Sequence, residues 1–377
     1  MSVKSIIDKK IKKITLTVFI LILIVSCKDD KAAADYEYLI NKKKELVITG
    51  YTGESKDIVI PKKINRRPVK ILENEAFAFK QLNSVVIPDT VTIIGDDTFA
   101  GNKLTDLHIP DAVFYIGKNA FLWNQLTSII IPDTVVFIGD AAFLGSKLTK
   151  ITLPANVEIE LNAFNVILFD YYNKNGKQAG TFEIQFADYD DYYIAVLNNT
   201  YAEIIANIGS DKEIIIPDMI NNYPVTTIGY SSFFGKMLTS VKIPDTVTII
   251  GPYAFAGNNL GNISIPDSVV IIGDNAFREN SITGVVIPNS VTLIGDNAFT
   301  HNKLTSVIIP DSVTSIGEQA FTYNQLTSVN IPDSVVSIGH FAFIFNQITN
   351  VTIPASVTDL GFSAFDSDVI ITSPIIE

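Results

Sequence analysis

A fixed 22-residue period runs through this chain and restricts it to one kind of architecture. The unit is cleanest from Leu304 to Gln325, LTSVIIPDSVTSIGEQAFTYNQ, and begins again at Leu326 as LTSVNIPDSVVSIGHFAFIFNQ. Pro88, Pro110, Pro132 and Pro154 are spaced 22 apart, as are Pro244, Pro266, Pro288, Pro310, Pro332 and Pro354. A period of this size belongs to a solenoid whose turns stack on one another. At 377 residues the chain exceeds one compact core, but a solenoid grows lengthwise and escapes that limit.

Each position in the unit has a physical reading. Leu304, Val307 and Ile309 alternate inward on a short strand, with Ser306 and Ile308 outward. Proline ends the strand because it brings no N–H to a ladder. Asp then makes a turn, at 89, 111, 133, 245, 267, 311 and 333. A second buried edge follows, such as Val313 and Ile316. Gly comes next, at 95, 117, 139, 229, 251, 273, 295, 317, 339 and 361, marking positive φ or a close backbone approach. Phe99, Phe121, Phe143, Phe255, Phe277, Phe299, Phe321, Phe343 and Phe365 are expected to stack as an aromatic spine, offset or edge-on. Three residues after most of them stands Asn, at 102, 124, 258, 280, 302, 324 and 346, placed to bond backbone groups of its own and adjacent coils.

These residues together resemble the BspA-like, treponemal-type leucine-rich repeat: a strand ending in Ile-Pro, then Val-x-x-Ile-Gly, then Ala-Phe. The resemblance covers roughly residues 36–377. Many members carry Cys where this chain has Asn. It implies a right-handed leucine-rich-repeat coil with a parallel β-sheet on its concave face. It also implies a surface or secreted binding protein, often an adhesin or coaggregation factor.

The repeat array divides in two. Residues 38–61 depart from the unit, and the same departure recurs 156 residues later: Ile48 matches Ile204, Gly53 matches Gly209, Pro68 matches Pro224 and Phe77 matches Phe233. Two tandem modules are expected, 36–185 and 186–377. Between them lies an aromatic, non-repeating stretch with Asn175-Gly176 at the turn of a predicted β-hairpin. Laid across the end of the first module, that hairpin would cover its open cross-section.

Residues 1–26 have the layout of a lipoprotein signal peptide: Lys4, Lys9, Lys10, Lys12 and Lys13, then an apolar run from Ile14 to Val25 too short to span a bilayer. Ile24-Val25-Ser26-Cys27 resembles a lipobox, so Cys27, the one cysteine in the chain, is the expected lipidation site. Residues 27–35 read as a tether. Lys28-Asp29-Asp30 resembles a tag for display on the outer face of the outer membrane, against a periplasm-facing lipoprotein as the competing reading. The membrane is reached through the lipid anchor only.

Net charge is −12, and residues 1–26 contribute +4 (five Lys, one Asp), leaving −16 on the remainder. Such a balance argues against nucleic acid and anionic lipid as partners. A single cysteine excludes an intrachain disulfide and any Cys-based zinc cluster. His108, His301 and His340 occupy different positions of the unit and lack metal-ligand spacing. No phosphate-cradling loop, GxSxG or HExxH is present, so neither enzyme activity nor a cofactor nor a metal is expected. Calcium on the Asp column is weighed against solvated turns, and one carboxylate per turn favours the turns.

The expected function is recognition of a protein or glycan through solenoid surfaces of a lipid-anchored surface protein. The alternative is a structural spacer or envelope-assembly lipoprotein. The candidate binding ridge lies two residues after the core Phe: Trp123, His301, Tyr323 and Phe345. Aligned on neighbouring coils, such rings form an exposed contact site. Folded down over the loop, they would only cover core edges.

Overall fold

The structure, a computed structural model, describes residues 34–372. The expected signal peptide, Cys27 and all but the last two residues of the expected tether lie outside the described residues. The fold is a solenoid of short parallel strands, and among the described residues one α-helix is present, Val166–Lys174. Two compact units divide the chain. The first runs to Phe164 and takes in Tyr172–Phe182; the second holds Asn165–Tyr171 and everything from Glu183 onward. The sequence places a single cut between 185 and 186 instead.

The first unit starts with an antiparallel pair, Tyr36–Ile40 and Leu46–Tyr51. The latter pairs in parallel with Arg67–Leu72, and the ladder continues through Ile93–Ile94, Tyr115–Ile116, Phe137–Ile138 and Glu158–Ile159. The second unit repeats the plan. Tyr192–Leu197 and Tyr201–Asn207 are antiparallel, and a parallel ladder runs from the latter through Tyr223–Ile228 to Asp359–Leu360. Even the β-bulge recurs 156 residues on, at Glu37/Tyr38 and at Tyr193/Ile194.

The unbroken sheet therefore lies on the residues before Gly, not on the strand before Pro where the repeat pattern puts it. Most pre-proline strands pair only locally, as in Asp57–Val59 with Ser84–Val86 and Gly284–Val286 with Ser306–Ile308. Proline stops that row after three residues because it has no N–H to give. In the other row prolines stand only in the two heads, at Pro68 and Pro224, just outside the parallel pairs, and Gly lengthens it: Gly95, Gly117 and Gly139 each donate N–H to a carbonyl of the preceding coil at 2.9 Å.

These glycines serve close approach rather than positive φ. A Cβ on Gly139 would lie 2.5 Å from the backbone nitrogen of Lys118, and one on Gly317 equally close to that of Asp296. Left-handed geometry falls elsewhere. It occurs two residues after Gly, as at Asp97 (φ 53°) and Asn275 (φ 58°), and six residues after Gly, at the ridge column.

The spine is a stack of parallel rings. From Phe77 to Phe164 successive centroids are 4.9–5.3 Å apart, with planes within 15°. From Phe233 to Phe365 they are 5.0–5.5 Å apart, within 14°. Ten of these rings are wholly buried or nearly so, and all of them except Phe77 and Phe233, which begin the two stacks, lie between two equivalents, so one coil's core is continuous with the next. The Asn side chains seal the loop above. Asn302 donates Nδ2–H to the carbonyls of Phe277 (2.9 Å) and Phe299 (3.1 Å), and its Oδ1 accepts the N–H of Ile282 at 3.1 Å. Asn102, Asn124, Asn258, Asn280, Asn324 and Asn346 do the same on their coils.

Residues 165–191 correct the predicted hairpin. Asn175-Gly176 ends a helix: Gly176 takes φ 67°, and Lys177 donates its N–H to Tyr172 at 2.9 Å. Asn-Gly supplies left-handed residues equally to a helix C-terminus and to a hairpin, which is why the dipeptide misleads. The real hairpin pairs Gly180–Tyr189 with Tyr192–Leu197, turning at Asp190 (φ 45°) and Asp191. Within the first unit, Tyr172 is buried, donates its hydroxyl to the Pro154 carbonyl (2.7 Å) and accepts the N–H of Val157 (3.1 Å). Within the second, the buried Glu203 carboxylate accepts the N–H of Ile167 at 3.1 Å at the helix N-terminus, a charge-favouring site. Burial nevertheless pushes Glu203 up to about 7, with the N–H groups of Ile167 and Val166 opposing.

Candidate functional site: an aromatic ridge

The ridge column carries Phe79, Gly101, Trp123 and Gly145 in the first unit. In the second it carries Gly235, Gly257, Glu279, His301, Tyr323 and Phe345. All ten have positive φ, from 54° to 82°. Their N–H groups point along the stack: Trp123 donates to Leu144 at 2.9 Å and Tyr323 to Ile344 at 3.2 Å. Four coils answer the left-handed requirement with glycine. A bulky L-residue there costs roughly 1–2 kcal/mol. The rings are thus placed against backbone preference.

Three of the four expected ridge residues come together. His301 and Tyr323 have centroids 4.4 Å apart, and Tyr323 and Phe345 also 4.4 Å, the latter only 17° from parallel. All three side chains are exposed, Tyr323 by 46% and Phe345 by 52%. They do not fold down over core edges. Trp123 lies in the other unit and stands differently. Its ring covers the bare Cα of Gly145, where a Cβ would lie 2.5 Å from Cδ1. Phe79, 65% exposed, lies over Gly101 in the same manner. Phe79 was missed in the sequence because it precedes the first regular unit, although the alignment of Phe77 with Phe233 places it opposite Gly235.

The stack decides which chemistry the ridge offers. Mutual stacking covers the ring faces within the run and presents their edges outward. Edges carry the positive rim of the aromatic quadrupole, and they meet carbonyl oxygens, aromatic faces and apolar side chains. A sugar platform needs open faces instead.

The remaining polar columns are occupied structurally. Pro88 accepts the N–H of Val91 at 3.0 Å, closing the turn that carries Asp89, which pairs with Lys62 at 2.8 Å on the surface. Ser268, Ser290, Ser312 and Ser334 each donate to a Val carbonyl one coil back, at 2.6–2.8 Å. His340 accepts the N–H of Phe362 through Nδ1 at 2.7 Å. Among the described residues no group of three or more His, Cys, Asp or Glu could hold a metal ion, and no helix is long and apolar enough to cross a membrane. Two open depressions lie on the pre-proline strand face, one lined by Asn330, Asp333, Thr352 and Ser356 and the other by Ser264, Asp267, Val286 and Ile308.

A family model, the BspA type leucine rich repeat region, matches residues 51–167 and 248–372 in six copies. No curated protein matches the chain. Among solved structures, a leucine rich repeat protein of T. pallidum is 25% identical and aligns over 48% of this chain and 87% of its own, with a TM-score of 0.43. A leucine rich cell surface protein from Faecalibacterium prausnitzii is 21% identical over 90% of this chain and 93% of its own, with a TM-score of 0.29. A leucine-rich repeat protein from Bacteroides ovatus is 20% identical over 90% and 98%, with a TM-score of 0.34. The repeat model, covering well over half the chain, carries the assignment.

Proposed function

The chain belongs to the BspA-type leucine-rich repeat family, and from that premise we propose that it is a lipid-anchored, cell-surface binding protein that recognises a protein partner through its aromatic ridge. The anchor is Cys27, and the location is the outer face of the outer membrane. The ridge is His301, Tyr323 and Phe345, with Trp123 and Phe79 as separate exposed rings in the first unit.

One observation supports the binding role above the others: three exposed rings occupy consecutive coils at a position where four other coils use glycine. Folding alone favours glycine there. Exposed, aligned aromatic side chains are the groups that dominate protein contact surfaces. Of the two partner classes expected from the sequence, the edge-out stacking favours protein over glycan. An adhesin-like role is the natural use of such a surface on a cell exterior.

The location is tested by protease treatment of intact cells producing the full chain. The proposal expects digestion without permeabilisation. Protection until the envelope is opened would remove the surface role.

A further inference from the structure

The two heads have one backbone and opposite charge. Residues 36–80 carry ten Lys or Arg against six Asp or Glu, a net +4. Their counterparts 156 residues on, 192–236, carry two against four, a net −2. The hairpin Lys63–Ile64/Arg67–Leu72 pairs Lys63 with Pro68 and Ile64 with Arg67. Met219–Ile220/Tyr223–Ile228 pairs Met219 with Pro224 and Ile220 with Tyr223, in the same register. Both turn through two left-handed residues, Asn65 and Arg66 (φ 49° and 68°) and Asn221 and Asn222 (φ 51° and 66°). Lys63, Arg66 and Arg67 are replaced by Met219, Asn222 and Tyr223, and Lys42, Lys43 and Lys44 by Asn198, Asn199 and Thr200.

The second head is thus an internal control: this fold does not need those six charges. It does need two other lysines, which are kept. Lys56 donates to the carbonyl of Lys80 at 2.8 Å, and Lys212 to that of Lys236 at 2.8 Å. The six divergent side chains are exposed and make no hydrogen bond or ion pair among the described residues. They also share one end of the sheet. Leu46, two residues after Lys44, pairs in parallel with Val69, two residues after Arg67, so both turns lead into adjacent strands from the same side. Asn65 bonds the Tyr38 hydroxyl at 3.0 Å, tying the two hairpins together. The regular coils behind them, 81–164, hold four Lys against nine Asp or Glu, a net −5. The first unit is therefore polarised, cationic at its head and anionic along its coils.

We propose that the head of the first unit docks on an anionic membrane surface, with Lys42, Lys43, Lys44, Lys63, Arg66 and Arg67 contacting lipid phosphates. The occupant follows from chain length. Cys27 stands nine residues before Tyr36, a reach of at most about 30 Å at ~3.5 Å per residue. An acylated Cys27 holds this head beside the headgroups, and the choice of partner rests on that reading. Juxtamembrane cations bind anionic headgroups, while acidic coils are repelled over a Debye length, which stands the first unit on its head. The bulk charge of the chain conceals this local reversal.

The test uses residues 28–377, which lack both the acyl chain and the basic, apolar residues 1–26, in sedimentation with phosphatidylcholine vesicles with and without phosphatidylglycerol. Binding that requires phosphatidylglycerol and weakens with salt is expected. Lys63→Met, Arg66→Asn and Arg67→Tyr together, the residues the second head already accommodates, should weaken it about 100-fold, at roughly fivefold per charge, with an unchanged melting temperature. No dependence on phosphatidylglycerol, equal binding by the triple variant, or retention on a soluble polyanion without vesicle binding would each overturn the proposal. Labelling of the unmodified chain with radioactive palmitate in the cell reads the anchor separately. Loss of label with vesicle binding intact removes the anchor and leaves the docking surface standing.

Discussion

Tyr323 and Phe345 face each other across one coil spacing, centroids 4.4 Å apart and 17° from parallel, while both backbones are held at φ 55–56°. Two opposed terms act on each residue. The left-handed backbone costs roughly 1–2 kcal/mol for an L side chain, and the ring pair returns about 0.5–1.5 kcal/mol. Substitution by glycine removes both, and substitution by alanine removes only the stacking. Tyr323→Gly should therefore be about 1 kcal/mol more stable than Tyr323→Ala and within about 1 kcal/mol of the parent in urea unfolding. A glycine variant several kcal/mol less stable than the parent would mean that the ring has a folding role.

The Asn column makes a sharper stability prediction. Asn302→Ala leaves the buried N–H of Ile282 without its partner and takes one of two donors from the carbonyls of Phe277 and Phe299, which keep Asn280 and Asn324. One unsatisfied buried donor costs about 1–3 kcal/mol and each of the two weakened carbonyls about 1 kcal/mol more, so a loss of about 3 kcal/mol is expected in chemical denaturation. Loss of a surface hydrogen bond alone would come to about 1 kcal/mol.

Glu203 gives the second unit a pH dependence of defined sign. Its folded pKa, about 7, lies above the ordinary 4.5, so between those values the folded state holds the extra proton. Stability contributed by this group therefore falls as pH rises from about 4.5 to about 7 and is level above that. Glu203→Gln should flatten that part of a melting-temperature profile. A parent profile rising over the same window and unaffected by Glu203→Gln would contradict the assignment.

Calcium should leave the fold alone. The turns carrying Asp89, Asp111 and Asp133 are closed by proline carbonyls accepting N–H at 3.0–3.1 Å, with one exposed carboxylate per turn. Thermal melts in calcium and in chelator are expected to coincide. A midpoint raised by calcium would restore the bridging role of the column.

How much of this was legible depends on whether a residue's role recurs with the period. Phe, Asn and Gly recur every 22 residues, and their packing could be read because each acts on the same column one coil away. The ladder could not be placed, since Val-x-Ile-Pro alternates as a strand does while Val-x-x-Ile-Gly, whose strands are two residues long, does not. The helix Val166–Lys174 lies outside the repeat, and its Asn-Gly end served two geometries equally well. The ridge was visible as a column of rings. Its left-handed backbone was visible too, in Gly101, Gly145, Gly235 and Gly257 at the same position, a pattern that gains meaning only when read down the column. The charge reversal between heads was likewise present at an offset of 156 but hidden in the net −12.

The contact role of the ridge is tested most directly by photo-crosslinking on living cells, with p-benzoylphenylalanine in place of Phe345 and, as a control, in place of Asp311 on a solvated turn. A discrete, protease-sensitive adduct from position 345 that Tyr323→Gly abolishes is expected, and none from position 311. Equal adducts from both positions, or none from 345 on cells where the protein is surface-exposed, would contradict it.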